Sequence, residues 1–157
     1  MAAAVESVAP RYRRHETARV KLRRTDLWVA LSALTAALLA LPLAPSSWHG
    51  PEAASVLAVS ATALLAGQRW AVALVVMAEL LLIPTVLPRA FVIESALTTE
   101  LMALGSLIAI VPGLLSIRRA AAALVLVTGM PRTQQTCRRF HTALLLGGIV
   151  ACALPLL

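Results

Sequence analysis

Long apolar runs dominate the chain, and short stretches rich in proline, glycine or basic residues separate them. A helix rises about 1.5 Å per residue, so about 20 residues cross a hydrocarbon core of roughly 30 Å. The second apolar run is short and rich in Ala, Ser and Thr, so we expect it to depend on neighbouring helices for insertion. We predict five transmembrane helices, at residues 27–43, 53–67, 70–87, 91–117 and 141–157.

Proline and glycine predict where these helices end. The segment LPLAPSSWHGPE, residues 41–52, contains three prolines and no Lys or Arg, which is typical of an external turn. The segment GQR, residues 67–69, predicts a tight turn on the opposite side. A third turn is predicted within LPRAF, residues 87–91, because Pro88 disfavours a continuous helix.

One apolar segment is too short to cross. Twelve residues, AAAALVLVTGMP, separate Arg119 from Arg132, and as a helix they would extend only about 18 Å. Because both flanks are basic, both ends should lie on one face of the membrane. We interpret residues 120–130 as an interfacial or re-entrant helix, and the alternative is an extension of the fourth helix into the cytoplasm.

Composition supports this reading of the apolar runs. Of the 157 residues, 60% are hydrophobic and only 13% are charged, which is too apolar for an ordinary soluble domain. No segment alternates polar and apolar residues over ten positions, as a strand of an outer-membrane barrel would. We therefore predict an all-α integral membrane protein, with a polar arm at residues 1–26 and a transmembrane helical domain at 27–157.

The arm is strongly basic and precedes the first apolar run. Its apolar residues do not repeat every three or four positions, so we expect the arm to be partly disordered. A nucleic-acid site is not favoured, because Tyr12 is the only aromatic residue interleaved with the charges and no nucleic-acid module is recognisable. We expect seven residues to contact anionic lipid headgroups at the cytoplasmic face: Arg11, Arg13, Arg14, Arg19, Lys21, Arg23 and Arg24.

The distribution of Lys and Arg predicts the orientation of the chain. The predicted turns place thirteen of the fourteen basic residues on one side: seven in the arm, Arg69, and five within residues 118–139. Only Arg89 falls on the other side. Because basic loops remain in the cytoplasm, the N-terminus is predicted to be cytoplasmic. We expect the protein to lie in the bacterial inner membrane, with its C-terminus outside.

Glu79 interrupts the third apolar run near its middle. A charge at the centre of a bilayer costs roughly 3 kcal/mol on insertion scales, so this side chain should face the bundle, find a donor or be protonated. One interpretation is an ion or proton relay, or a ligand contact. The other is a protonated carboxyl group that is hydrogen-bonded to Ser or Thr of a neighbouring helix.

Two further carboxyl groups, Glu94 and Glu100, lie near the start of the fourth run. Glu94 should lie at the external boundary, where it could pair with Arg89. The six-residue spacing directs the two carboxylates about 120° apart, so they do not cluster on one helix face. The hypothesis for a polar site is a seam between the third and fourth helices, formed by Glu79, Glu100, Thr98 and Ser106.

Catalytic and cofactor motifs are not recognisable in the sequence. His15, His49 and His141 are isolated, and Cys137 and Cys152 have no metal-binding or redox spacing. We therefore expect no enzyme activity, no metal and no cofactor.

Small residues suggest places where helices approach closely. They recur in the first run, at Ala33, Ala36, Ala37 and Ala40, and in the last, at Gly147, Gly148, Ala151 and Cys152. The favoured function is a non-enzymatic membrane subunit or assembly factor that packs against other membrane proteins. The alternative is a small transporter or proton-conducting component that uses Glu79 and Glu100.

Overall fold

The computed structural model describes residues 24–46, 50–91 and 96–156, and within these ranges the chain contains helices and no strands. The basic arm as far as Arg23, together with His49 and Glu94, lies outside the described residues. The described residues form six α-helices, and a 3₁₀ segment, Leu41–Ser46, follows α1. The α-helices are α1 Arg24–Ala40, α2 Gly50–Leu65, α3 Ala71–Phe91, α4 Leu97–Leu115, α5 Ile117–Val127 and α6 Gln134–Ala153.

Three of the described helical segments are long and apolar enough to cross a membrane: α1 with its 3₁₀ extension to Leu43, α3 and α4. The apolar part of α2, Pro51–Leu65, is shorter. The polar first turns of α6 carry Arg138 and Arg139, and its apolar part begins only at Phe140. These features are compatible with an integral membrane protein.

Helices α1 to α4 form a closed four-helix bundle, in which each helix packs against the next and α4 packs against α1. The predicted small-residue surface of α1 is buried, with Ala33 and Ala36 fully enclosed. Alanine lets the α1 backbone approach closely enough for the Ser106 hydroxyl of α4 to donate a hydrogen bond to the Ala36 carbonyl, at 3.2 Å. Dispersion contacts between closely packed backbones therefore hold this part of the bundle together.

The predicted turn at Pro88 is wrong, because α3 continues through both Pro84 and Pro88 to Phe91. Each proline removes one backbone donor. Pro88 lies in the last turn of α3, and Val86 and Ala90 beside it are buried in the bundle. This packing keeps the segment helical despite the local preference for a break.

The predicted helix 91–117 is not one element either. Phe91 belongs to α3, α4 begins at Leu97, and Ser116 ends α4 by donating from both its amide and its hydroxyl to the Gly113 carbonyl. After this one-residue break, α5 packs mainly against α3 and α6 and hardly against α4. The predicted short helix thus exists, at Ile117–Val127 instead of 120–130, as a separate packed element.

Two glycines with positive φ close the turns at one end of the bundle. Gly67, with φ of 88°, lies between α2 and α3, where the predicted tight turn is confirmed. Gly129, with φ of 66°, follows α5. Thr133 then caps α6 by accepting a hydrogen bond from the Thr136 amide at 3.2 Å, so this helix begins at Gln134 and not at the predicted His141.

Candidate functional site

The side chain of Glu79 is completely buried in the interior of the bundle. It projects from the middle of α3 toward Gly113 of α4, and a Cβ atom built on Gly113 would overlap the carboxyl group. The buried neighbours of Glu79 along α3 are apolar and include Val75, Val76 and Leu82. The absent side chain of Gly113 therefore creates the space that the carboxyl group occupies.

Neither carboxyl oxygen of Glu79 has a hydrogen-bond partner among the described residues. The predicted hydrogen bond to Ser or Thr of a neighbouring helix is thus not found in that part of the chain. An unpaired polar group in an apolar interior is costly, and an unpaired ion is far more costly. The fold therefore favours an uncharged Glu79 side chain over an ionised one.

The structure does not bring Glu100 to Glu79. Glu100 lies in the first turn of α4, whereas Glu79 packs on Gly113 near the end of that helix. Thirteen residues separate the two levels, which is about 20 Å along a helix. Thr98, also in the first turn of α4, is exposed, and Glu100 is partly buried. The proposed seam of carboxylates therefore does not assemble around Glu79.

Ser106, the remaining member of the proposed seam, is fully buried two turns before Gly113 on α4. Its hydroxyl donates a hydrogen bond to the Ala36 carbonyl of α1. Gly105 beside it allows close contact, because a Cβ atom there would lie 3.0 Å from Leu39 Cδ1. Ser106 thus joins α1 to α4, and it is not directed at Glu79.

A second polar constellation lies at the end of the bundle where α1 and α3 begin. Asp26 forms an ion pair with Arg119, which also donates to the Thr25 hydroxyl at 3.2 Å. The Asp26 side chain is only 14% exposed, so the guanidinium of Arg119 is held in place beside a largely buried carboxylate. This contact links the start of α1 to the start of α5.

A cavity of about 310 Å³ adjoins this ion pair. Arg69, from the α2–α3 turn, and Arg132, from the α5–α6 loop, line it together with Arg119 and Asp26. Within the described residues, Arg69 and Arg132 form no ion pair. The remaining lining is apolar and comes from α2, α3 and α5: Leu64, Val72, Ala122, Ala123 and Leu126.

Sequence reasoning treated these arginines only as topological signals and did not single out Asp26 or Gly113. The Asp26 signal was available, since it is an isolated acid two residues after the basic run ends at Arg24. Gly113 carried no comparable signal. Among the described residues, no group of three or more His, Cys, Asp or Glu side chains is arranged to hold a metal ion.

Comparisons with known proteins add no further constraint. No protein-family model matches the chain, and no curated protein or solved structure is significantly similar to it.

Proposed function

We propose that the chain is a non-enzymatic, multi-pass membrane subunit or assembly factor that packs against other membrane proteins. The observation that carries this proposal is the exposure of α6. None of its 20 residues is buried, although it carries large apolar side chains such as Leu146, Ile149 and Val150. Helices of a self-sufficient bundle normally bury one side against their neighbours.

Gly147 makes one side of α6 suited to a protein partner. A Cβ atom built there would have no neighbour within 4 Å, whereas one on Gly148 would lie 3.3 Å from Leu80 of α3. Gly148 therefore faces the bundle and Gly147 faces outward, between exposed apolar side chains. A small residue on such a surface permits close backbone approach by a second transmembrane helix, which is a common basis of association in lipid.

The proposed topology has five crossings, with α2 and α6 spanning in addition to the three longer segments. In this topology the end that carries Asp26, Arg69, Arg119 and Arg132 faces the cytoplasm, in keeping with the preference of basic residues for that side. Arg89 lies at the opposite end, where it donates to the Leu43 carbonyl. We place the protein in the bacterial inner membrane, with the arm on anionic headgroups.

The alternative, a proton-conducting component or small transporter, rests on the unpaired carboxyl oxygens of Glu79. Its burial argues against this function, because a relay needs access from both sides. Glu79 lines neither the basic cavity nor the groove of about 590 Å³ between α6 and the bundle. The separation from Glu100 also removes the second titratable group from the proposed path.

The experiment is affinity purification of the tagged full chain after gentle solubilisation in digitonin. We expect stoichiometric membrane-protein partners with the wild type, and fewer with Gly147→Leu, which fills the outward side of α6. Val59→Phe is the matched control, because it adds bulk at an exposed apolar position of α2. Purification of the wild type without a stoichiometric partner would contradict the proposed function, and equal recovery with Gly147→Leu would exclude α6 as the docking helix.

A further inference from the structure

We propose that the cavity between Asp26, Arg69, Arg119 and Arg132 is a binding site for the phosphate group of an anionic ligand. This inference does not depend on the proposed role as a membrane subunit. Three guanidinium groups converge on one space and a single carboxylate opposes them. Guanidinium groups suit phosphate because their planar N–H donors can contact two oxygens at once.

Arg119 supplies the fixed part of the site. Its guanidinium is held by Asp26 and by the Thr25 hydroxyl, so its orientation is determined before any ligand arrives. Its side chain remains 39% exposed, which leaves donors available to the cavity. A preorientated donor loses less conformational freedom on binding than a free surface arginine does.

Arg69 and Arg132 supply the charge that is not neutralised within the described residues. Both lie in turns shaped by a glycine with positive φ, Arg69 two residues after Gly67 and Arg132 three residues after Gly129. The turn that carries Arg69 is further held by a hydrogen bond of 2.7 Å from Trp70 Nε1 to Gln68 Oε1. Two cations from separate loops are thereby brought to the same space as Arg119.

The rest of the cavity favours the headgroup of a phospholipid as the source of the phosphate. Its apolar lining includes Leu64 and Val72, which lie at the ends of α2 and α3. An anionic lipid could place its phosphate on the arginines and its glycerol and upper acyl carbons on this lining. A soluble phosphate would use the same arginines and would gain nothing from the apolar residues.

The test is isothermal titration calorimetry of the full chain in dodecyl maltoside. The probes are dioctanoyl phosphatidylglycerol, inorganic phosphate and dioctanoyl phosphatidylcholine, in which the charge of the phosphate is balanced. We expect one saturable site for phosphatidylglycerol and at least a tenfold preference over phosphatidylcholine. Arg69→Gln with Arg132→Gln should weaken that site about thirtyfold, because two charges near the headgroup are lost.

Two further double variants test whether a loss of affinity comes from the cavity, and not from the lower total charge of the protein or from misfolding. Arg138→Gln with Arg139→Gln removes the same charge from α6 without touching the cavity, and should change the affinity by no more than about threefold. Arg69→Lys with Arg132→Lys keeps both charges but loses the paired N–H donors, so its affinity should lie between those of the wild type and the Gln variant. Arg119 is left unchanged because its replacement would leave the largely buried Asp26 carboxylate without its ion-pair partner.

The outcomes decide the proposal and the source of the ligand. Binding of phosphatidylglycerol alone supports a lipid headgroup site. Binding of inorganic phosphate that competes with the lipid and is lost in the same variant supports a site for free phosphate as well. No saturable binding of either probe would overturn the proposal, as would equal losses in the cavity and α6 variants or a lower affinity in the Lys variant than in the Gln variant.

Discussion

The contact between Gly113 and Glu79 makes a prediction that runs against ordinary helix propensity. Replacing glycine by alanine inside a helix normally stabilises it by about 1 kcal/mol. Gly147→Ala should follow this rule, because the space around its Cβ position is empty. Gly113→Ala should instead destabilise the protein, because its methyl group would occupy the volume of the Glu79 carboxyl group.

The magnitude follows from the two environments. Overpacking a filled interior typically costs about 1 to 3 kcal/mol, so we expect Gly113→Ala to lower the free energy of unfolding by that amount. In a Glu79→Ala background the obstruction is gone, and the same substitution should raise stability by about 1 kcal/mol. The coupling energy between positions 79 and 113 should therefore be about 2 to 4 kcal/mol.

The assay is reversible unfolding in mixed micelles of dodecyl maltoside and increasing sodium dodecyl sulfate, followed by far-UV circular dichroism. The wild type, both single variants, the double variant and Gly147→Ala form one set. A Gly113→Ala protein as stable as Gly147→Ala would refute the packing of Glu79 on Gly113. A coupling energy near zero would refute it too, because additive effects on stability are expected of distant residues and not of two residues that compete for the same space.

Three other predictions concern single features. Glu79→Gln should change the free energy of unfolding by less than about 1 kcal/mol in the same assay, because the amide keeps the shape of the side chain without a charge. Loss of proton flux in a normally expressed Glu79→Gln variant would instead support the relay. Asp26→Asn and Arg119→Gln should each be mildly destabilising with a coupling of about 1 kcal/mol, and a zero coupling would argue against the ion pair. Changing four arginines of the isolated arm to Gln should weaken its binding to anionic vesicles by about 1 kcal/mol per charge: Arg11, Arg13, Arg14 and Arg19. Binding that is unchanged and insensitive to salt would contradict the lipid contact.

Hydropathy and turn residues were sufficient to predict the helical class, the tight turn at Gly67 and a separate short helix after the fourth apolar run. These features depend on local chemistry, such as apolar length and the conformational freedom of glycine. Helix ends were less predictable. The start of α6 at Gln134 depends on capping by Thr133, which is a polar signal that lies before the apolar residues.

Pro88 shows where local preference is overridden. The proline predicts a break, but burial of Val86 and Ala90 on neighbouring helices keeps α3 intact to Phe91. Tertiary packing also determines which residues surround Glu79. Periodicity along α3 can assign the carboxyl group to a helix face, but only the packing register of α3 against α4 determines that Gly113 lies opposite and that Glu100 lies far away.

Membrane topology is the most direct test of the account, because the proposed docking role of α6 and the proposed cytoplasmic location of the basic end both depend on it. In a background with Cys137→Ser and Cys152→Ser, His49→Cys or Gln135→Cys is introduced, and intact and permeabilised cells are treated with an impermeant maleimide. Position 49 should react in intact cells, and position 135, near the start of α6, should react only after permeabilisation. Labelling of both positions from the same side would contradict the five-span arrangement.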